Sequence, residues 1–208
     1  MERVFITQSA SVDRKALVQQ YRKQEIVGKC MVMRPMQPED AEPVVRIRNQ
    51  VHARYYMTQK EEATVESHLA WYHEIYLPKE DDINWVILNR QREIVGGNAL
   101  YDIDLTKGSH GEKGRQVIWQ PAALQAPYAL ESDYLICRLA LDVFMLEKVI
   151  ACFKQDAART ESMNKRMGFV PDGERMLRGE RYKDFSCRAD QLRSEELESI
   201  INHWGKRI

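Results

Sequence analysis

Two apolar runs joined by a short polar turn constrain this chain more than any other feature. NWVILN (residues 84–89) and IVGGNALYDID (residues 94–104) flank RQRE and read as a β-hairpin. A hairpin is stable only with further strands and a helical layer over its apolar face. The rest of the sequence supplies both. CMVMRPM reads as a strand whose regular part ends at Pro35, and GRQVIWQ (residues 114–120) as another. KVIACF (residues 148–153) is wholly apolar, as in a strand buried on both faces. GERMLRGER and YKDFSCRADQL read as a last pair of strands.

Between these runs the apolar period changes to that of helices. PEDAEPVVRIRNQ starts one, with Asp40 near its cap and Pro43 tolerated in the first turn. Residues 65–76 form a second, with Leu69, Tyr72, Ile75 and Tyr76 on one face. A third runs on from Glu131 with a stripe of Leu135, Ile136, Leu139, Val143 and Phe144. Its first turn carries Glu131, Ser132 and Asp133, residue types that favour a helix start. Residues 157–166 make a fourth, stopped at Gly168, and SEELESIINHW closes the chain as a fifth. This order of elements predicts a mixed α/β domain. Residues 1–28 read as an extension, with a short strand at residues 4–7 and a helix at residues 12–24 opened by Ser11. The main domain is residues 29–208.

A length of 208 residues suits one domain with a real core. Its 31 basic and 31 acidic residues give no general pull toward nucleic acid or an anionic membrane. MERVFITQSASVDRK lacks a signal-peptide core, and no apolar run reaches about 18 residues, so a soluble cytoplasmic protein is expected. Cys30, Cys137, Cys152 and Cys187 are widely spaced among apolar neighbours and read as reduced thiols. The histidines form no ligand cluster, and no metal is expected.

Seven segments in order carry a family resemblance: MRPMQPEDAEPVVRIRN, YYMTQ, ESHLAWY, the hairpin, GEKGR, LALDVFMLEKVIACF and RMGFVPDGERMLRGERYKDF. They extend over residues 32–192, and together they resemble the GNAT superfamily of acyl-CoA N-acyltransferases. The nearest branch contains the ribosomal-protein N-terminal and nucleotide-amino-sugar N-acetyltransferases. The resemblance implies a splayed, mixed and mostly antiparallel sheet flanked by helices, with acetyl-CoA between its fourth and fifth strands and an amine entering from the other side. The chemistry is then mostly positioning, with a base for the amine and a backbone N–H for the oxyanion.

The same resemblance implies the site residues. Glu112 of GEKGR matches a carboxylate that serves as a base through water, and the hydroxyl of Tyr101 can reach the cleft. Arg48, Asn49 and His68 match acceptor-side segments, and Trp71, Tyr55, Tyr56 and Met57 offer an aromatic wall. Each also has a plain structural reading: a strand-edge carboxylate, a helix-start histidine, or core aromatics. Gly96 and Gly97 suggest a bulge or a close approach. Arg175, Arg178, Arg181 and Lys183 make a basic hairpin, read either as a solvated face or as a surface for an anionic acceptor. The cofactor would meet the strand end at Val117, Ile118 and Trp119 and the helix start at Tyr128, Ala129, Leu130, Glu131, Ser132 and Asp133. Monomer and homodimer are both open.

Here the sequence departs from the family it resembles. The family holds the CoA pyrophosphate on a glycine-rich loop at a helix N-terminus. The matching stretch reads YALESD, without glycine or basic residue, and about five extra residues lie between Pro121 and Pro127. If Glu131 and Asp133 face that pyrophosphate, each pair costs about 1–3 kcal/mol before screening. The same carboxylates stabilise an empty helix start by about 0.3–1 kcal/mol each. A second family contact, an Asn twelve residues before the Phe of GF, is Ala157. Two functions follow: an N-acetyltransferase using acetyl-CoA on a nucleotide-linked amino sugar or a protein N-terminus, or a GNAT-fold protein that uses another acyl carrier or binds without catalysis.

Overall fold

The computed structural model describes residues 12–123 and 125–207, so the strand expected at residues 4–7 and the Ser11 cap lie outside it. Eight strands form one sheet: β1 (Ile26–Val27), β2 (Val32–Pro35), β3 (Ile83–Leu88), β4 (Ile94–Tyr101), β5 (His110–Ile118), β6 (Lys148–Lys154), β7 (Val170–Leu177) and β8 (Glu180–Cys187). Their order is β1-β2-β3-β4-β5-β6-β8-β7. Every pairing is antiparallel except β5 with β6, which is parallel and needs a crossover. That crossover is α5 (Tyr128–Arg138), which continues into a π-helical turn, Leu139–Val143. This is the mixed, mostly antiparallel sheet expected.

The parallel pair positions the site. β5 and β6 bond from His110↔Lys148 to Lys113↔Ala151 and no further. Beyond that point β5 continues with β4 as far as Ile118, and β6 continues with β8 as far as Lys154. The sheet therefore opens into a wedge. On one face lie α2 (Ala41–Arg48), α3 (Val51–Tyr56) and α4 (Val65–Trp71), which runs into a π-helical turn, Tyr72–Tyr76. On the other lie α5 and α6 (Ala158–Met167). The main core between sheet and helices contains Met33, Trp85, Ile136, Phe144, Val149 and Leu197.

Several elements differ from the sequence reading, each for a tertiary reason. β5 begins at His110 rather than Gly114, because HGEK gains two partner strands. The last hairpin turns at Arg178 and Gly179, both with positive φ, so GERMLRGER spans a turn. KVIACF is not buried on both faces: Val149, Ala151 and Phe153 are buried, while Ile150 and Cys152 are half-buried on the other side. The six-residue helix α3 is too short for a periodic signal and was not anticipated. α5 starts at Tyr128, three residues before the expected Glu131, so Glu131 and Asp133 are not its leading residues. Val143, expected in the buried stripe, is 38% exposed on the π-helical turn.

Described residues before Lys29 pack against the rest of the chain. In α1 (Arg14–Tyr21), Val18 is fully buried, and burial of such a side chain stabilises by about 1.5–3 kcal/mol. Arg14 donates to the Phe144 carbonyl at 2.8 Å, and Arg22 to the Asp82 carbonyl at 2.8 Å. α6 ends at Gly168, whose φ of 104° only glycine adopts without strain.

Candidate active site

A cleft of about 780 Å³ runs from α2–α4 through the wedge to α6. At its centre, register places Tyr101 of β4 directly opposite Glu112 of β5. The Tyr101 hydroxyl donates to Glu112 Oε1 at 2.6 Å, and Arg175 of β7 donates to Oε2 at 3.0 Å. Arg175 is held in turn by Asp184 at 2.8 Å. Burial, followed by the Glu112 charge, raises the Tyr101 pKa well above the usual tyrosine range. The phenol is therefore neutral and a donor. Cys152 also borders the cleft, but burial pushes its thiol up to about 12, so it is not a thiolate at neutral pH.

A bulge shapes this centre. Between Gly97↔Val117 and Ala99↔Gly114, β5 has one residue more than β4, and Arg115 takes φ 55° there. The bulge turns Arg115 over the Tyr101 ring, 4.2 Å from its centroid. Asp82 accepts from its guanidinium at 2.8 and 2.9 Å, and Asn84 at 3.1 Å. Burial raises the Asp82 pKa, and Arg115 opposes the shift. The paired glycines have packing reasons as well: a Cβ on Gly96 would meet the Val117 carbonyl oxygen at 2.5 Å.

At the α2–α4 end, Arg48, Tyr56, His68 and Trp71 all line the cleft. His68 is only 5% exposed, yet neither ring nitrogen has a hydrogen-bond partner. Burial, then the Arg48 charge, lowers its pKa, so the ring is a neutral donor and acceptor. Arg48 donates to Gln59 at 3.0 Å, and burial lowers its pKa as well. Trp71 stacks on Tyr76 at 5.6 Å and 11°. Asn49 is turned elsewhere: it donates to the Ala63 carbonyl and accepts from the Ala63 N–H, clasping the loop beyond α3.

The α5 end is different. Val117, Ile118 and Asp133 border the cleft, but the described residues between Ile118 and Asp133 do not. Trp119 lines a separate shallow groove with Tyr55 and Tyr56. Tyr128 is buried, Leu130 packs on the core, and the Ala129 carbonyl accepts from Gln116 at 2.9 Å. The Glu131 carboxylate accepts from the N–H groups of Lys29 at 2.5 Å and Cys30 at 3.0 Å. A Cβ on Gly28 would lie 2.6 Å from that carboxylate, so glycine is needed for the approach. Asp133 accepts from Lys113 at 2.5 Å, Asn98 at 2.9 Å and Gln116 at 2.8 Å. Ser132 accepts from Asn98 at 3.0 Å and donates to the Ala129 carbonyl.

The sequence favours a filled-in start over a standard cradle; here both carboxylates are buried and bonded to the protein itself, with Asp133 also bordering the cleft. The wedge opens where the β5–β6 pairing ends, and the α5 start has neither glycine nor a side-chain cap on its first N–H groups. Of the centre's residues, Lys113, Arg115, Asp82 and Asn84 went unread. Lys113 left no signal because the apolar pattern of that strand begins only at Gly114. The basic hairpin was legible, but not that Arg175 turns inward to Glu112 while Lys183 pairs with Glu161 at 2.6 Å.

Comparison with known proteins agrees with this geometry. Residues 31–170 match the family model of the acetyltransferase (GNAT) domain. The chain is similar to the solved structure of a GCN5-related N-acetyltransferase from Brucella melitensis, with TM-score 0.71 and 17% identity over 88% of this chain and 86% of that one. It is similar to apo FdhC, a nucleotide-linked sugar GNAT, with TM-score 0.70 and 15% identity over 86% and 99%. It is also similar to spermidine N-acetyltransferase from Vibrio cholerae in complex with CoA and spermine, with TM-score 0.67 and 13% identity over 79% and 98%. Among curated protein sequences none matches significantly.

Proposed function

This chain belongs to the GNAT acetyltransferase family, and from that premise we propose that it acetylates the primary amine of a small anionic acceptor, of the class of nucleotide-linked amino sugars. The observation that carries the reaction is the Tyr101–Glu112–Arg175 cluster where β5 and β6 part. A primary amine arrives as an ammonium ion and must lose a proton before it can attack. Glu112 takes that proton, directly or through one water, and Arg175 and Tyr101 hold its two oxygens in place. A thioester supplies the activated carbonyl.

The α2–α4 end supports this acceptor class. Arg48 has a single side-chain partner there, His68 has two free ring nitrogens, and Trp71 offers a flat face. Arg48 and His68 suit phosphate or carboxylate oxygens, and Trp71 suits a ring. Glu62, a carboxylate lining that end, is paired with Arg54 at 3.0 Å, and Asp40 with Arg34 at 2.7 Å, which leaves little to attract a polyamine. The test is acetyl transfer to a panel of sugar nucleotides, polyamines and peptides at saturating thioester. Glu112→Gln is expected to lower kcat by about 10²–10⁴-fold with little change in acceptor KM. Unchanged kcat would remove Glu112 as the base, and a polyamine as best substrate would overturn the acceptor class.

A further inference from the structure

The bulge in β5 sets a charged group in the cleft that the Tyr101–Glu112–Arg175 cluster does not use. Arg115 holds φ 55°, an uncommon conformation for a residue with a side chain, and it lines the cleft. Its guanidinium is clamped at one corner. Nη1 donates to both oxygens of Asp82 and to Asn84 Oδ1. Asp82 is 1% exposed and also accepts from Asn84 Nδ2 at 2.7 Å, so the clamp itself is rigid.

The other edge of the guanidinium is open. All of its hydrogen bonds leave from Nη1, and among the described residues Nε and Nη2 have no partner. The side chain is 34% exposed although Nη1 rests on a buried carboxylate, so the exposure falls on the rest of the group. Arg48, the other arginine lining the cleft, has its Nη2 on Gln59. A guanidinium fixed at one corner, with Nε and Nη2 free, is pre-organised for two parallel bonds to a carboxylate or phosphate.

Tyr101 ties this edge to the reaction. Its ring lies under Arg115 and its hydroxyl donates to Glu112, so guanidinium and carboxylate are no farther apart than one tyrosine side chain spans. Trp71 flanks the guanidinium from α4, with its ring centroid 6.0 Å away. An acceptor with its amine at Glu112 and its ring on Trp71 brings a nearby substituent within reach of Arg115.

We propose that Arg115 is a specificity-determining residue whose Nε–Nη2 edge binds an anionic oxygen group a few bonds from the acceptor's amine. Asp82 and Asn84 are positioning residues that hold this edge. The inference rests on the acyltransferase reading and specifies its acceptor further: a distal anion is left to Arg48 and His68, and a proximal one falls to Arg115. Phosphate and carboxylate share this chemistry, and one experiment separates them.

Acetyl transfer from saturating acetyl-CoA by the full chain is measured on matched amines with and without the anion. One pair is glucosamine 1-phosphate and methyl glucosaminide; the other is 4-aminobutyrate and 4-aminobutyramide. In at least one pair the anionic member is expected to have a kcat/KM about 100-fold higher, with the difference in KM. Arg115→Lys keeps a charge without the fork, and is expected to cut that ratio to about fivefold or less. An effect in the phosphate pair supports the proposal with phosphate as the group bound, and one in the carboxylate pair supports it with carboxylate. A ratio that survives Arg115→Lys overturns it. If that variant does not fold, Arg48→Lys decides: the ratio is expected to persist there, and its loss overturns the assignment to Arg115. Equal kcat/KM within both wild-type pairs, or transfer to other amines but to none of these four, overturns the proposal alone. Transfer to no amine at all brings down the acyltransferase reading with it.

Discussion

At the α5 end of the cleft, Lys113, Glu131, Asp133 and Asn98 are buried, and each has at least one hydrogen-bond partner. At the α2–α4 end, His68 is buried to a similar degree and has none. Both regions remove polar groups from water, so both carry a desolvation cost. At the α5 end the protein offsets that cost from its own backbone and side chains. At the other end no protein group offsets it at the His68 ring. This contrast also explains why Glu131 and Asp133 are poor guides to cofactor binding. Their charge is consumed internally.

The contrast is broken most readily at the Lys113–Asp133 pair. Lys113→Met leaves Asp133 buried without its counter-ion and is expected to cost about 3–5 kcal/mol in urea denaturation. Lys113→Met with Asp133→Leu should recover most of that loss. A single-variant loss of less than about 1 kcal/mol would show that the network does not hold α5 to the sheet.

Glu131→Ala leaves the Lys29 and Cys30 N–H groups unpaired and is expected to cost about 1–3 kcal/mol. Thioester affinity should not change, and tighter CoA binding in this variant would place Glu131 beside the phosphates after all. At the opposite end the signs reverse. Arg48→Met should raise acceptor KM about tenfold while leaving stability within about 0.5 kcal/mol. A large stability loss without a KM effect would class Arg48 with the α5 network.

The smallest effect is one of pH. Burial holds the His68 pKa below its ordinary 6.5, so the native state binds this proton less readily than the unfolded chain. Its contribution to stability is complete above that value and declines as pH falls below it. Thermal melts between neutral pH and mildly acid pH should show a decline that His68→Phe lacks. Equal slopes in the two proteins would mean that His68 is not held neutral.

Much of the architecture was legible because periodicity is a local property. The hairpin of β3 and β4, the crossover helix, β6 and the Gly168 stop are each encoded within about ten residues. Tyr101 and Glu112 could be named from resemblance, and register makes them neighbours. Short or irregular features left no such trace. α3 has only six residues, and the π-helical turns after α4 and α5 share their apolar period with ordinary helix.

By itself, the sequence determined the order of most strands and helices, and its family resemblance implied a sheet that splays. It also determined that the α5 start carries carboxylates instead of glycines. Only tertiary structure decided what those carboxylates do. Glu131 meets backbone 101 and 102 residues away, and Asp133 meets a lysine 20 residues away on a strand whose bulge no period reveals. A side chain's charge is written in the sequence, but whether that charge repels a ligand or is spent inside the protein depends on which donors the fold brings within hydrogen-bond distance.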